Sequence, residues 1–372
     1  METKRGQIRS LTSLRFFASA AVVCFHLQEV FLPPPATLAL GTGVSFFFVL
    51  SGFVLTYAHQ DHFNIPRFYR SRVARLWPLH ILTGTLALLV AVNGHVSEIR
   101  LGWPELANLF LLQAWIPLVG FVFCLNGVAW SISAEAFFYM LFPALRSRFL
   151  PLFVVLAAIG TAGILIALEI SSAPVGPPWP SPPYGEFFSL HVALQFPFVR
   201  LLEFCLGIVA AKLFIRRPIK TSTALEVAAL GLVLLFGLSA EPLRECIASA
   251  GWSHAAIWFN QCGGMLFFAF AIFIFAHEQG RISRILTSRF LVLLGDISFS
   301  TYMFHSIVLT CVSKSGLIGT QPTVLIVLGY LAVIYSVSWL SYTFVELPSK
   351  RMIEKISIRN RKQIPATVLQ HK

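Results

Sequence analysis

Stretches of about twenty apolar residues recur along this chain from Leu11 to Glu346, each long enough to cross a hydrocarbon core of ~30 Å at ~1.5 Å per residue. A water-soluble core could not hide that much apolar surface: 56% of the 372 residues are hydrophobic, 12% are charged, and mean hydropathy is +0.76. The bilayer is therefore the solvent and the first partner, and no soluble domain of useful size is left over. A formal charge of +12 would suggest nucleic acid in a soluble chain. Here the basic residues fall in short clusters between apolar runs, which is the pattern of membrane topology, so no nucleic-acid partner is expected. The first run carries Arg15 and His26 and has no small-residue cleavage site before Pro33, so it reads as a retained helix rather than a signal peptide.

Eleven stretches compete as spans: 11–31, 39–58, 75–92, 105–120, 129–145, 150–170, 190–214, 222–240, 257–276, 290–312 and 323–345. If all cross, alternate basic clusters fall outside, against the positive-inside rule. The weakest is 105–120, with Glu105, Asn108, Gln113 and Pro117, and it reads as an interfacial or re-entrant segment. Removing it places 23 of the 28 basic residues on the cytoplasmic side. The expected fold is thus an all-α polytopic membrane protein of about ten helices with both termini cytoplasmic. It is one membrane domain over 1–350 followed by a basic tail, 351–372, suited to anionic lipid. The proline-rich segment 171–188 becomes an outer loop. Cys24, Cys124, Cys205, Cys246, Cys262 and Cys311 show no CxxC spacing and read as packing residues.

Ionisable side chains at membrane depth cost about 2.5–3.5 kcal/mol on insertion scales, so each asks for a partner or a wet cavity. Arg15, His26, Glu135, His191, Arg200, Glu203, Asp296 and His305 are such positions. Arg15 and His26 are eleven residues apart, which places them on one helix face about 16 Å apart. Singly they read as a snorkelling cation and a core histidine; together they favour a ligand channel. The loop 67–75 leads into the third helix with Arg72 and Arg75 at i, i+3. Forked guanidinium donors suit phosphate, while ordinary topology anchoring explains the same cluster. Glu135 shares a face with Ser131 and could orient an imidazole or pair with Arg200, and His305 lies at similar depth. There is no HExxH, zinc-spaced Cys/His set, GxGxxG, Walker loop or GxSxG, and no metal is expected.

Several of these positions fall in an ordered set of motifs. They are Leu14-Arg15-Phe16-Phe17-Ala18 with His26, Phe46 to Phe53, and Arg72 with Arg75 before Pro78. Trp130 to Glu135 followed by Phe138-Tyr139, Ile297 to His305, and Tyr342 to Pro348 complete it. From Ile8 to about Lys350 this order resembles the membrane-bound acyltransferase 3 family of bacterial cell-surface polysaccharide and lipopolysaccharide O-acetylases. The resemblance implies transfer of an acyl group, usually acetyl, from acyl-coenzyme A to a hydroxyl of a glycan or lipid-linked sugar, at the bacterial inner membrane.

On that basis coenzyme A is expected to dock from the cytoplasm, with its phosphates on Arg15, Arg72 and Arg75. His26 serves as general base or transient acyl carrier, oriented by Glu135 or His305. Ser51 is a further hydrogen-bond donor, although helix packing at Ser51-Gly52 explains that position more simply. The rival reading is a secondary transporter or permease for a lipid-linked sugar, since buried Arg, Glu and His also build proton relays. It requires inverted repeats, and none is visible in the sequence.

Overall fold

Where an apolar run meets a good cap, the helix starts earlier than hydropathy alone suggests. The third helix is the clearest case. In the computed structural model, which describes residues 7–31, 38–61, 63–93, 101–171 and 188–352, it runs from Ile65 to Ala91, with Asn64 accepting from the Arg67 amide at 2.9 Å and a proline in its first turn. The arginine cluster 67–75 is therefore the first turns of a helix and not a loop. Lys4, Arg5, Arg100, the proline-rich segment over 172–187 and the tail beyond Met352 lie outside the described residues.

The remaining elements are α1 (Arg9–Phe31), α2 (Gly43–Ala58), α3 (Ile65–Ala91), α4 (Trp103–Leu109), α5 (Val119–Val122), α6 (Trp130–Leu145) and α7 (Leu150–Ile170). They continue with α8 (Phe188–Leu194), α9 (Leu201–Arg216), α10 (Thr223–Ser249), α11 (Ser253–Cys262), α12 (Met265–Phe275), α13 (Arg281–Leu286), α14 (Arg289–Lys314) and α15 (Thr323–Ser341). Among the described residues there is no strand, and nine helices are long and apolar enough to cross a bilayer. The expected span 190–214 is broken into α8 and α9. Pro197 cannot continue a helix, and the buried Arg200 guanidinium holds the break by donating to the Leu194 carbonyl at 3.2 Å and to Glu203 at 2.7 and 2.9 Å. Arg200 is thus paired by Glu203 and not by Glu135.

The segment expected not to cross is likewise split into α4, a single 3-10 turn (Gln113–Trp115) and α5. None is long enough to span. Two of its polar side chains are buried in protein: Asn108 donates to the Cys124 carbonyl at 2.9 Å and Gln113 to the Ala129 carbonyl at 3.0 Å, while Glu105 is half-buried. Irregular backbone at membrane depth is tolerated only under that condition.

Burial sorts the spans into two classes. The windows of α2 and α14 are 72% and 61% buried, whereas those of α7, α10 and the α15 span are each 22% buried, so the former are central and the latter face lipid. Accordingly α7 exposes Leu152, Val155, Leu156, Ile159 and Ile166. The central helices meet backbone to backbone. A methyl group added at Gly52 of α2 would overlap the Phe204 carbonyl of α9, one at Gly207 the Val49 carbonyl, and one at Gly295 of α14 the Thr12 carbonyl of α1. Small residues permit this approach, and dispersion between the helices stabilises it in a solvent as apolar as the core. Cys124, Cys205 and Cys262 are buried as packing residues, but Cys24, Cys246 and Cys311 are exposed and so are not core packing residues.

Candidate active site

The close crossings of α1 on α14 and of α2 on α9 leave a cavity of about 90 Å3 between α1, α2, α3, α6 and α14. Its lining brings together Arg15 of α1, Ser51 of α2, Arg72 and Arg75 of α3, and Ser131, Glu135 and Tyr139 of α6, closed by Phe299 and Tyr302 of α14. Because α3 is helical through the arginine cluster, the i, i+3 spacing turns Arg72 and Arg75 onto this one face. The Arg72 guanidinium lies 5.7 Å from the Phe68 ring centroid and 5.4 Å from that of Tyr139, and Arg75 lies 5.9 Å from that of Phe299. Such stacking holds the forks without consuming their in-plane donors, of which Arg72 Nε is spent on Ser71 Oγ at 3.3 Å.

Glu135 is the carboxylate in this lining. It accepts from Ser51 Oγ at 3.0 Å and from the Tyr139 hydroxyl one turn along the same helix. Among the described residues, none of the three guanidinium groups forms a salt bridge, and Arg75 Nε is buried without a hydrogen-bond partner. Three cations against one carboxylate, with donors to spare, make a site for a multiply charged anion such as a diphosphate. The residues present fit the phosphates of a coenzyme A donor on that ground.

His26 and His305 lie beyond the Ser131 and Tyr302 end of the cavity. The Tyr302 hydroxyl meets Ser131 Oγ at 2.8 Å and donates to the Val128 carbonyl at 3.2 Å, while its ring centroid is 5.6 Å from that of His305. The His26 and His305 rings stack at 5.2 Å with an interplanar angle of 29°. His305 is fully buried: its Nδ1 donates to the Tyr302 carbonyl, and its Nε2 has no partner among the described residues.

The partner of His26 departs from expectation. Glu135 belongs to the arginine cavity; the carboxylate on His26 Nδ1 is Glu29, at 2.8 Å. An i, i+3 pair on one helix is short enough to fix the ring directly, whereas Glu135 on α6 is already engaged by Ser51 and Tyr139. A carboxylate on Nδ1 sets the tautomer and leaves Nε2 as the acceptor, the arrangement that equips histidine as a general base. The His26 side chain is 32% exposed, so a substrate can reach it. Glu346 sits on a single π turn (Tyr342–Glu346), where it accepts from Ser300 Oγ at 2.6 Å beside Phe299.

Of the residues singled out in the sequence, Arg15, Ser51, Arg72, Arg75 and Glu135 line one cavity, and His26 and His305 stack on each other. Tyr139 and Tyr302 stood there only as members of motifs, and Glu29 was not among them. The signals for Glu29 and Tyr139, a carboxylate at i+3 from His26 and a tyrosine at i+4 from Glu135, were present.

Comparison with known proteins gives a consistent picture. A family model described as an acyltransferase domain matches residues 8–343. The chain is 31% identical to acyltransferase MdmB of Streptomyces mycarofaciens, over 93% of this chain and 92% of that protein. It is 26% identical to the exopolysaccharide production protein ExoZ of Rhizobium meliloti, over 85% and 89% of the two chains. Against the peptidoglycan O-acetyltransferase OatA of Listeria monocytogenes it is 24% identical, over 93% of this chain and 56% of that one. No solved structure gives a significant match.

Proposed function

This chain belongs to that membrane acyltransferase family, and we propose that it moves an acetyl group from acetyl-coenzyme A to a hydroxyl of a cell-surface or lipid-linked glycan at the bacterial inner membrane. The observation that carries the reading is the Glu29–His26 pair, stacked on His305, beside a cavity lined by three arginines and a single carboxylate. Arg15, Arg72 and Arg75 hold the donor's phosphates by forked, charge-assisted bonds that enter from the cytoplasmic end. The donor supplies an activated carbonyl on a thiolate leaving group.

His26 Nε2 takes the proton of the acceptor hydroxyl as its oxygen closes on the thioester carbonyl. The carbon–sulfur bond then breaks, and the imidazolium returns the proton to the departing thiolate. Glu29 holds the ring in the right tautomer and stabilises the transient cation. His305 packs against the His26 face, and Tyr302 with Ser131 joins the arginine cavity to the histidines. Glu135 keeps Ser51 and Tyr139 in place among the cations.

Intact-glycan mass spectrometry on a deletion strain and its parent tests the assignment. Loss of one acyl mass from a surface or lipid-linked glycan, restored by the wild-type gene, is the expected result. Identical acylation of every glycan and lipid in the two strains would overturn it.

A further inference from the structure

A second and larger pocket, of about 560 Å3, lies between the outer half of α3 and the short helix α4. Ile81, Leu88, Leu106 and Leu109 form its apolar walls, and His80 and Asn108 are its buried polar residues; Thr85 and the half-buried Glu105 line it as well, the Glu105 carboxylate already accepting from the Gly102 amide at 2.7 Å. Leu101, Trp103, Leu106 and Leu109 at its edge are 71%, 76%, 45% and 44% exposed. Apolar side chains so exposed on a membrane protein face lipid, and a tryptophan among them suits the interface, so the pocket opens sideways to the bilayer.

His80 is 2% exposed. Its Nε2 lies 2.8 Å from the Asn108 carbonyl oxygen, which only accepts, so Nε2 carries the proton and Nδ1 of the neutral ring is an acceptor. That Nδ1 is buried with no partner among the described residues. The packing covers Nδ1 as it stands, so a ligand that displaces that packing and brings a donor gains the unmade hydrogen bond, which a ligand without a donor does not. Since α3 and α14 are side by side with Lys314 bonded to the Val90 carbonyl at 2.8 Å, depth can be counted back from one level. His80 is ten residues below Val90 and His305 nine below Lys314, which puts both at about 14–15 Å, the same depth to within a turn. The partition between pocket and histidines is thin: Leu125 lines the pocket, and the next residue, Asn126, donates to the Met303 carbonyl at 2.8 Å.

We infer that the pocket between α3 and α4 binds a membrane-partitioning alcohol, its apolar body on the leucine wall and its hydroxyl donating to His80 Nδ1. Resting on the acyltransferase reading, this is the acceptor's lateral entry from the lipid, at the level of His305 and of the His26 ring stacked on it. The acceptor class is then a lipid-soluble or lipid-anchored hydroxyl compound and not a free, water-borne polysaccharide.

The test uses the full-length protein in lipid nanodiscs, without acyl donor. Two photoactivatable probes are compared: a diazirine-bearing long-chain alcohol and its methyl ether. In the wild type the alcohol should label peptides covering α3 and α4 about two- to tenfold more than the ether, the range of one neutral hydrogen bond. His80→Phe should equalise the two probes. Gly84→Leu should abolish labelling by both while leaving His80 in place, because a side chain at Gly84 meets Leu125 Cδ1 at an ordinary 3.6 Å and projects into the pocket. Equal labelling by alcohol and ether in the wild type, or labelling unchanged in Gly84→Leu, would overturn the inference. A His80-dependent preference in a protein that transfers no acyl group would sink the enzymatic reading and leave this site standing.

Discussion

Replacing Arg72 and Arg75 by lysine separates phosphate recognition from topology, because lysine keeps the charge and loses the fork. Both guanidinium groups line the cavity without a salt bridge among the described residues, Arg72 over two aromatic rings and Arg75 over one, and Arg75 Nε is buried without a partner. A phosphate that accepts two parallel bonds from each fork keeps at best one from an ammonium. A charge-assisted hydrogen bond contributes about 1.5–3 kcal/mol, so each substitution should weaken donor binding about 10- to 150-fold at ~1.4 kcal/mol per decade. The positive-inside contribution is the same for either cation, so insertion and yield should not change. Equilibrium dialysis of labelled acetyl-coenzyme A against detergent-purified protein measures the effect, with thermal unfolding as the control for folding. Affinity within twofold of wild type for both Arg72→Lys and Arg75→Lys would return these arginines to topology anchors and remove the donor site from the cavity.

Two further outcomes follow from the packing. Gly207→Ala places a methyl group on the Val49 carbonyl oxygen, so α2 and α9 must separate. Overpacking of this kind destabilises by about 1–3 kcal/mol, which should lower the unfolding temperature in detergent; an unchanged melt would mean that the α2–α9 crossing is wrongly placed. If the chain between α3 and α6 does not cross the bilayer, cysteines introduced at Leu101 and Gly120 in a cysteine-free background should both react with an impermeant maleimide from the outer side. Labelling from opposite sides would require an additional span.

The helical class, most spans and the arginine cavity were legible because their causes are local. Hydrophobic length, clusters of basic residues and charge at membrane depth are written in one dimension, and so is the eleven-residue separation of Arg15 and His26. The extent of α3 was understated because hydropathy does not register an Asn64 cap followed by a proline, which starts a helix in polar sequence. The break at Pro197 was readable as a proline within a span. What converts the break into a stable feature, the pairing of Arg200 with Glu203 and the Leu194 carbonyl, depends on three-dimensional closure. Glu29 was passed over because it lies near the end of the first apolar run, where a carboxylate reads as the start of water. Glu135 was left between an imidazole and Arg200, because depth does not fix which neighbour engages it; Ser51 on α2 and Tyr139 on α6 do. The pocket at His80 had no signal in the sequence, since its polar partner comes from the backbone of α4.

In this mechanism His26, oriented by Glu29, moves the proton of the attacking hydroxyl. Labelled acyl transfer from acetyl-coenzyme A to membrane acceptors, with wild-type, His26→Ala and His26→Gln protein in liposomes, measures that step. General-base assistance contributes about 10²- to 10⁴-fold. Glutamine keeps size and polarity but takes up no proton at neutral pH, so both variants should lose at least about 10²-fold in rate while still inserting and still binding the donor. Transfer by His26→Gln at a rate near that of the wild type would rule out proton transfer by His26 and leave it a packing residue against His305.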